Sequence, residues 1–318
     1  MISSQTVEGS IIILCEKGEM NMRIWKKLTA IAIAGVMTTS FVACGNSDTN
    51  TGGSGGSDSS SVSGTITGSG SSALLPLAKN AADAFKEKHP DVSITLNAGG
   101  SGTGLKQVSD GTVDIGNSDV AAEDKLEAAQ AAELVDHKIC VVTMAPVINH
   151  DLAADIKSLT KQQLIDIFTG KVKNWNAVGG PNEEVLLVTR PETSGTRALF
   201  QEYALDGNEE ASGSALETDD SGTLIQSVAD NKGAIGYVAL SYLVNNDKVS
   251  TVAIDGVEPS LENTYNGTYP VWGYEHMYTK GEATGAVKAY IDYIMSDEYS
   301  GKLEEQGYGV TSKMTVQR

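Results

Sequence analysis

Gly64-Thr65-Ile66-Thr67-Gly68, Val92-Ser93-Ile94-Thr95-Leu96 and Val113-Asp114-Ile115-Gly116 are three short runs, each with the alternation or apolar clustering of a strand, and what separates them decides the fold class. After the first run comes a turn, Ser69-Gly70-Ser71-Ser72, and then Leu74, Leu77, Ala78, Ala81 and Phe85 at helical spacing with Lys79, Asp83 and Lys86 on the other side. His89-Pro90 ends that helix, because the residue before a proline is pushed out of the helical region. After the second run, Asn97 to Gly104 is a glycine-rich turn, and Leu105 and Val108 begin another helix. The order strand, helix, strand, helix, strand predicts α/β layers with a largely parallel sheet. In such sheets ligands sit beyond the carboxyl ends of the strands, where Ser69–Ser72, Asn97–Gly104 and Asn117-Ser118-Asp119 all fall.

Toward the carboxyl terminus the alternation continues. Lys138 to Ile148 is apolar enough for a buried strand, with Pro146 marking a change of direction. Ser158-Leu159-Thr160 opens a helix carrying Leu164, Ile167 and Phe168, and Gly170 closes it. Val185 to Val188 reads as a strand, followed by the loop Arg190-Pro191-Glu192-Thr193-Ser194-Gly195-Thr196-Arg197 and a helix from Thr196. Ile225 to Val228 belongs to a helix and Ala234 to Val238 to a strand; the apolar stretch Val271 to Tyr278 precedes helices at Ala286–Met295 and Tyr299–Gln306. No internal repeat of fixed period is present.

Toward the amino terminus the chain stops reading as a fold. Met20, Met22, Arg23, Lys26 and Lys27 lead into the apolar run Leu28–Met37 and then Thr38 to Ala43 ahead of Cys44: a basic start, a short apolar centre and small residues before a cut, the order of a secretory signal. The apolar centre is shorter than the roughly 20 residues that span a bilayer. This stretch resembles a bacterial lipoprotein signal, which implies removal of residues 1–43 and a lipid on Cys44; residues 1–19 precede a complete signal, so the true start is expected at Met20 or Met22. Cys15 goes with the leader and Cys44 with the anchor, which leaves Cys140 as a small buried thiol and no intrachain disulfide. Residues 44–63 form a tether of Gly, Ser, Asp, Asn and Thr that cannot bury enough surface to fold. About 255 residues remain, enough for two lobes or one large α/β unit. The formal charge is −18, one unit more negative without the leader, which argues against nucleic acid or an anionic membrane surface as partner and against long-range attraction of any anion.

An anion site in such a chain has to work through local donors. Ser72, Ser101 and Ser194 each follow a strand and precede a helix, with a glycine close by; each alone is an ordinary helix cap. Together they offer a set of neutral hydroxyls, to which backbone N–H groups of Ala73, Thr103, Gly195 and Thr196 can add, since a helix start carries unpaired donors and a partial positive charge. Arg190 can add a bidentate fork suited to phosphate or carboxylate, and Glu192 is placed to pair with it and fix it. Asp119 has two readings: a cap for a helix starting near Ala121, or a hydrogen-bond acceptor at the site. As an acceptor it favours a tetrahedral anion that carries a proton, such as hydrogen phosphate, over sulfate, which carries none.

Enzyme readings find less support. Gly100-Ser101-Gly102-Thr103-Gly104 has neither dinucleotide-fingerprint nor P-loop spacing, and no nucleophile elbow surrounds Ser101. His89, His137, His150 and His276 are scattered without metal-ligand spacing, so no cofactor is expected.

Taken in order, Thr67–Ser72, Gly99–Gly104, Asp114–Asp119, Ile167–Gly170, Asn174-Trp175 with Gly179-Gly180, Arg190–Arg197 and Gly233–Val238 resemble the phosphate-binding proteins that serve Pst ABC transporters, over essentially all of residues 64–318. The resemblance implies a two-lobed periplasmic-binding-protein fold of type II, with mixed sheets flanked by helices and a two-segment hinge. It places crossovers near Val142–Asn149 and Gly236–Asn246, hence one lobe at 64–145 plus 246–318 and the other at 146–245. Matched residue by residue, it puts phosphate ligands on Ser72, Ala73 through its backbone, Ser101, Asp119, Arg190, Ser194, Gly195 and Thr196, with Glu192 in support. It further implies inorganic phosphate as cargo, a permease with its ATPase as partners, a lipid anchor at the outer face of the cell membrane, and a monomer. Another tetrahedral oxyanion such as sulfate or molybdate is the alternative cargo, and a phosphate-ester hydrolase using Ser101 or Ser194 the alternative class.

Overall fold

The computed structural model describes residues 62–211 and 216–318, so the leader, Cys44 and the tether up to Ser61 lie outside the described residues. Strand β1 (Gly64–Gly70) buries Ile66 and then Gly68, Ser69 and Gly70, and helix α1 (Leu75–Lys88) lays Leu75, Leu77, Ala78, Ala81 and Phe85 inward. Pro76 suits the first turn of α1, where an N–H has no helical acceptor, and Lys86 and Lys88 sit at its carboxyl end, where positive charge is favoured. There follow β2 (Val92–Ala98), α2 (Ser101–Ser109), β3 (Ile115–Ser118), the short α3 (Ala128–Ala131) and the 15-residue β4 (Leu134–Ile148). Beyond it come β5 (Ser158–Leu159), α4 (Lys161–Phe168), β6 (Leu186–Thr189), α5 (Gly195–Tyr203), β7 (Leu216–Glu217) and α6 (Ser221–Asp230). The chain ends with β8 (Ala234–Ala239), β9 (Ser250–Thr251), β10 (Ala253–Ile254), α7 (Leu261–Tyr265), β11 (Trp272–Lys280), α8 (Gly285–Ile294) and α9 (Asp297–Ser300).

The sheet runs β2-β1-β3-β11-β4-β8-β6-β7, with β9 added on β4. It is mixed, not largely parallel. β2, β1 and β3 form one parallel block and β8, β6 and β7 another, and the antiparallel pair β11 and β4 joins them. Strand β4 serves both blocks: Leu134 to Thr143 pair with β11, and Met144 to Ile148 pair with β8. Its residues are buried without a break from Ile139 to Ile148, which is why they read as a continuous apolar run. Pro146 does not turn the chain. It sits inside the strand opposite Tyr237, and its carbonyl accepts from the N–H of Val252.

Two cores flank this seam. Ile66, Leu77, Phe85, Ile115, Cys140, Met277, Tyr290 and Tyr308 fill one; Leu164, Ile167, Phe168, Trp175, Phe200 and Tyr237 fill the other. Full burial of each such side chain is worth roughly 1.5–3 kcal/mol. The second core also takes in Val252, Ile254, Tyr269 and Val271, and β9 pairs with Val147 and Ile148 of β4. Parts of Val249–Val271 therefore pack in the second core, while Tyr265 of α7 bonds Glu304, Val310 and Thr315 near the carboxyl terminus and Trp272 pairs with Thr143. Residues well past Gly236–Asn246 thus still pack in the second core. No local pattern marks where β9 and β10 attach, because each is two residues long.

Candidate functional site

Four helix starts meet at the seam, each just past the end of a strand or bend. At α1 the hydroxyl of Ser71, not Ser72, holds the turn before the helix, accepting from Leu74 N–H at 3.0 Å. Ser72 is thereby free for other partners: its hydroxyl donates to the Asp219 carbonyl at 2.9 Å and lies 3.0 Å from the Ser221 hydroxyl. Ser101 opens α2, and its Oγ accepts from the Asp119 N–H at 3.0 Å. Ser194 caps α5 by accepting from Arg197 N–H, which leaves the N–H groups of Gly195 and Thr196 without helical acceptors. Asp220 caps α6 by accepting from Thr223 N–H at 2.7 Å, which sets Ser221 at that helix's first position.

Arg190 lies at the centre. It is 0% exposed, and every hydrogen bond it makes among the described residues goes to a neutral oxygen. Nη1 donates to the Asp219 carbonyl at 3.2 Å and reaches Ser72 Oγ at 3.5 Å; Nη2 donates to Ser221 Oγ at 2.9 Å and to the Tyr237 carbonyl at 3.3 Å. Nε is buried without a partner. A guanidinium held this way is oriented but bonds no carboxylate directly, though the Asp219 and Glu210 carboxyls lie within its electrostatic reach, and a buried charge is costly unless an opposite charge joins it. Burial pushes the nearby Asp219 carboxyl up, and Arg190 pulls it partly back.

Asp119 is 2% exposed at the end of β3. It caps no helix: the 3₁₀ turn that follows starts at Ala122 after Ala121, with no side-chain cap. Its Oδ2 accepts from the Thr196 hydroxyl at 2.7 Å, and Oδ1 has no donor. Gly195 lies so close that a Cβ there would stand 2.2 Å from Ser101 Oγ and 3.0 Å from Asp119 Cβ, so only glycine lets α5 approach α2 and β3. Gly100, at φ +81°, likewise faces Asp219, where a Cβ would meet Oδ2 at 2.1 Å.

Ser72, Ala73, Ser101, Asp119, Arg190, Ser194, Gly195 and Thr196 are thus all buried and gathered in one place. Glu192 is not among them. It is exposed, makes no ion pair with Arg190, and offers only its backbone carbonyl, to Lys125 Nζ at 2.8 Å. Arg190 is held instead by Asp219, Ser221 and Tyr237, none of which the sequence reading singled out. A signal for two of them was available: Asp219-Asp220-Ser221-Gly222-Thr223 has the same acid, hydroxyl and glycine pattern as the other helix starts. The arrangement suits an oxyanion: converging hydroxyls and helix N–H groups, one oriented guanidinium, and one carboxylate that can only accept.

Comparison with known proteins agrees with this chemistry. Residues 55–298 match the profile of a PBP superfamily domain. The phosphate-binding protein PstS of Bacillus subtilis is 47% identical over 297 residues, covering 92% of this chain and 96% of that one. A PstS from Staphylococcus epidermidis is 28% identical, covering 86% and 85%. Among solved structures, a Clostridium perfringens protein with bound phosphate, described as a phosphate ABC transporter substrate-binding protein, superposes with a TM-score of 0.70 at 32% identity, covering 78% of this chain and 100% of that one. A phosphate transport receptor of Vibrio cholerae, 23% identical with a TM-score of 0.61, shares the fold.

Proposed function

The chain belongs to the PstS family of phosphate-binding proteins within the PBP superfamily, and on that premise we propose that it captures inorganic phosphate outside the cytoplasm and delivers it to an ABC permease and its ATPase. It is a transporter's substrate-binding protein and not an enzyme. The observation that carries this reading is Arg190, a fully buried guanidinium bonded only to neutral oxygens, with Nε to spare. Phosphate would supply the directly bonded anion that Arg190 lacks beside the carboxyls of Asp219 and Glu210. Its oxygens would take hydrogen bonds from the hydroxyls of Ser101 and Ser194, from that of Ser72 once it turns away from the Asp219 carbonyl, and from the N–H groups of Ala73, Gly195 and Thr196. Its proton would go to Asp119.

The division of these groups supports a two-lobed closure. Ser72, Ser101 and Asp119 belong to the half with β1 and β3; Arg190, Ser194, Gly195 and Thr196 belong to the half with β6 and α5. We place the lobes at 64–143 plus 272–318 and at 144–271, hinged where Thr143–Met144 runs beside Val271–Trp272. An anion bridging both sets stabilises the closed arrangement by its extra contacts there. A lipid on Cys44 would hold the protein at the outer face of the membrane, with residues 45–63 as a leash, and the protein would act as a monomer.

The deciding experiment is calorimetric titration of ligand-stripped protein with phosphate and with sulfate, on the parent and on Asp119→Asn. The parent is expected to bind one phosphate and give no heat with sulfate. In Asp119→Asn the amide can donate, so sulfate binding is expected to emerge and the phosphate preference to fall by about tenfold or more. Equal binding of the two anions by the parent would sink the reading.

A further inference from the structure

Behind the site lies a second acid that none of the foregoing uses. Glu275, in the middle of β11, is 0% exposed, and neither of its carboxyl oxygens has a donor. β11 runs antiparallel to β3 with His276 paired to Ser118, so one step further along each strand brings Glu275 opposite Asp119. The β11–β4 register slips between Glu275 and His276, which locally re-aims the side chains. His276 bonds Asp136 at 2.7 Å, while Glu275 meets Asp119 side chain to side chain. Among the described residues the Cys140 thiol, paired across from Glu275 on β4, and the hydroxyls of Tyr242 and Tyr308 lie within its electrostatic reach, and none of these is a cation. Two adjoining buried carboxylates would leave Asp119 Oδ1 and both Glu275 oxygens without a donor and would place like charges together. One proton resolves both problems.

We propose that Asp119 and Glu275 share a single proton carried by Glu275, and that Glu275 is a positioning residue whose hydroxyl donates to Asp119 Oδ1. Burial, then the charge of Asp119 and the hydrogen bond to it, push the Glu275 acid up well above the usual carboxylate range. With Oδ1 tied to Glu275 and Oδ2 to Thr196, Asp119 is held as an ionised acceptor with fixed lone pairs facing the anion. Glu275 thereby sets specificity from behind. Without that donor Asp119 loses the fixed aim of its lone pairs, and the discrimination against an anion without a proton relaxes.

This inference rests on the phosphate reading, and its test separates the two. Ligand-stripped parent, Glu275→Gln and Glu275→Leu proteins are titrated with inorganic phosphate and with sulfate near neutral pH, and infrared spectra of parent and Glu275→Gln are compared. Glu275→Gln keeps a donor toward Oδ1, so its phosphate affinity and preference should stay close to the parent's. Glu275→Leu removes the donor, so phosphate affinity should drop by about tenfold or more while sulfate affinity rises. The parent spectrum should contain a protonated-carboxyl band that Glu275→Gln lacks. Parent-like affinities for both anions in Glu275→Leu, or no band lost in Glu275→Gln, would overturn the proposal. Should Glu275→Leu not fold, the Gln variant and the infrared comparison decide it. Failure of the parent to bind phosphate would remove the transport reading, while the infrared comparison would still decide where the proton resides.

Discussion

Gly195 shows how little room single residues leave at this site. A methyl group there would press on Ser101 Oγ and Cβ, at 2.2 and 2.8 Å, and could be accommodated only by moving the start of α5 away from α2. That shift would pull the N–H groups of Gly195 and Thr196 off any anion held by Ser101 and Asp119. Gly195→Ala is therefore expected to weaken phosphate binding by about 3 kcal/mol, roughly a hundredfold, on the scale of hydrogen bonds to a charged group. Glu192→Gln, three residues away, should change the affinity by no more than about twofold, as expected for an exposed charge. Calorimetry on the two variants tests both, and a parent-like Gly195→Ala would show that α5 does not supply donors. Ser72, Ser101, Ser194 and Gly195 were legible because each marks a local event, a hydroxyl or glycine at a helix start, whereas Asp219, Ser221 and Tyr237 around Arg190 were not singled out. Glu275 was not legible. It lies mid-strand between Tyr274 and His276, and only the pairing of β11 with β3 gives it a partner. Glu192 was misread for the opposite reason: nearness in sequence suggested a pair, whereas Arg190 turns toward Asp219 and Ser221.

Helices were easier to read than strand pairing, and the reason is range. Helix α4 carries its own start signal: Thr160 accepts from Gln163 N–H at 3.1 Å, and the Gln163 side chain accepts from Thr160 N–H at 2.8 Å, a reciprocal box written in four consecutive residues. The helix buries Leu164, Ile167 and Phe168 in the second core; Phe168, at its last position, lies 5.8 Å ring to ring from Tyr237, whereas Thr160 sits at the opposite end. Thr160→Ala is expected to lower unfolding stability by about 1 kcal/mol in urea titration and to leave phosphate affinity unchanged. A loss of affinity would mean that α4 is coupled to the cleft. The strand order gave no such local mark. That β11 inserts antiparallel between β3 and β4, and so makes the sheet mixed, depends on paired residues 129 or more positions apart. The same holds for the joining of Val252, Ile254 and Tyr269 to the second core, on which the proposed crossover at Val271–Trp272 rests.

At the scale of the whole molecule the chain carries −18 and is read here as a receptor for an anion. The two facts are compatible only if attraction is short-ranged and repulsion long-ranged. The attractive groups lie within contact distance of the ligand: hydroxyls, helix N–H groups and the buried Arg190. The repulsive field comes from surface carboxylates and reaches a distance set by salt, about 30 Å at 0.01 M and about 10 Å at 0.1 M. Raising ionic strength over that range should therefore shorten the repulsion and leave the inner contacts intact. The phosphate association rate, followed by stopped flow, is expected to rise with added salt, the reverse of an electrostatically steered encounter. The dissociation rate should change little, because it depends on breaking buried contacts. Two lysines near the cleft make the outcome informative: Lys106 is paired with Asp110, and Lys125 reaches the Glu192 carbonyl. An association rate that falls with salt would show that these two outweigh the net charge at the entrance, and Lys125→Gln would then remove the effect.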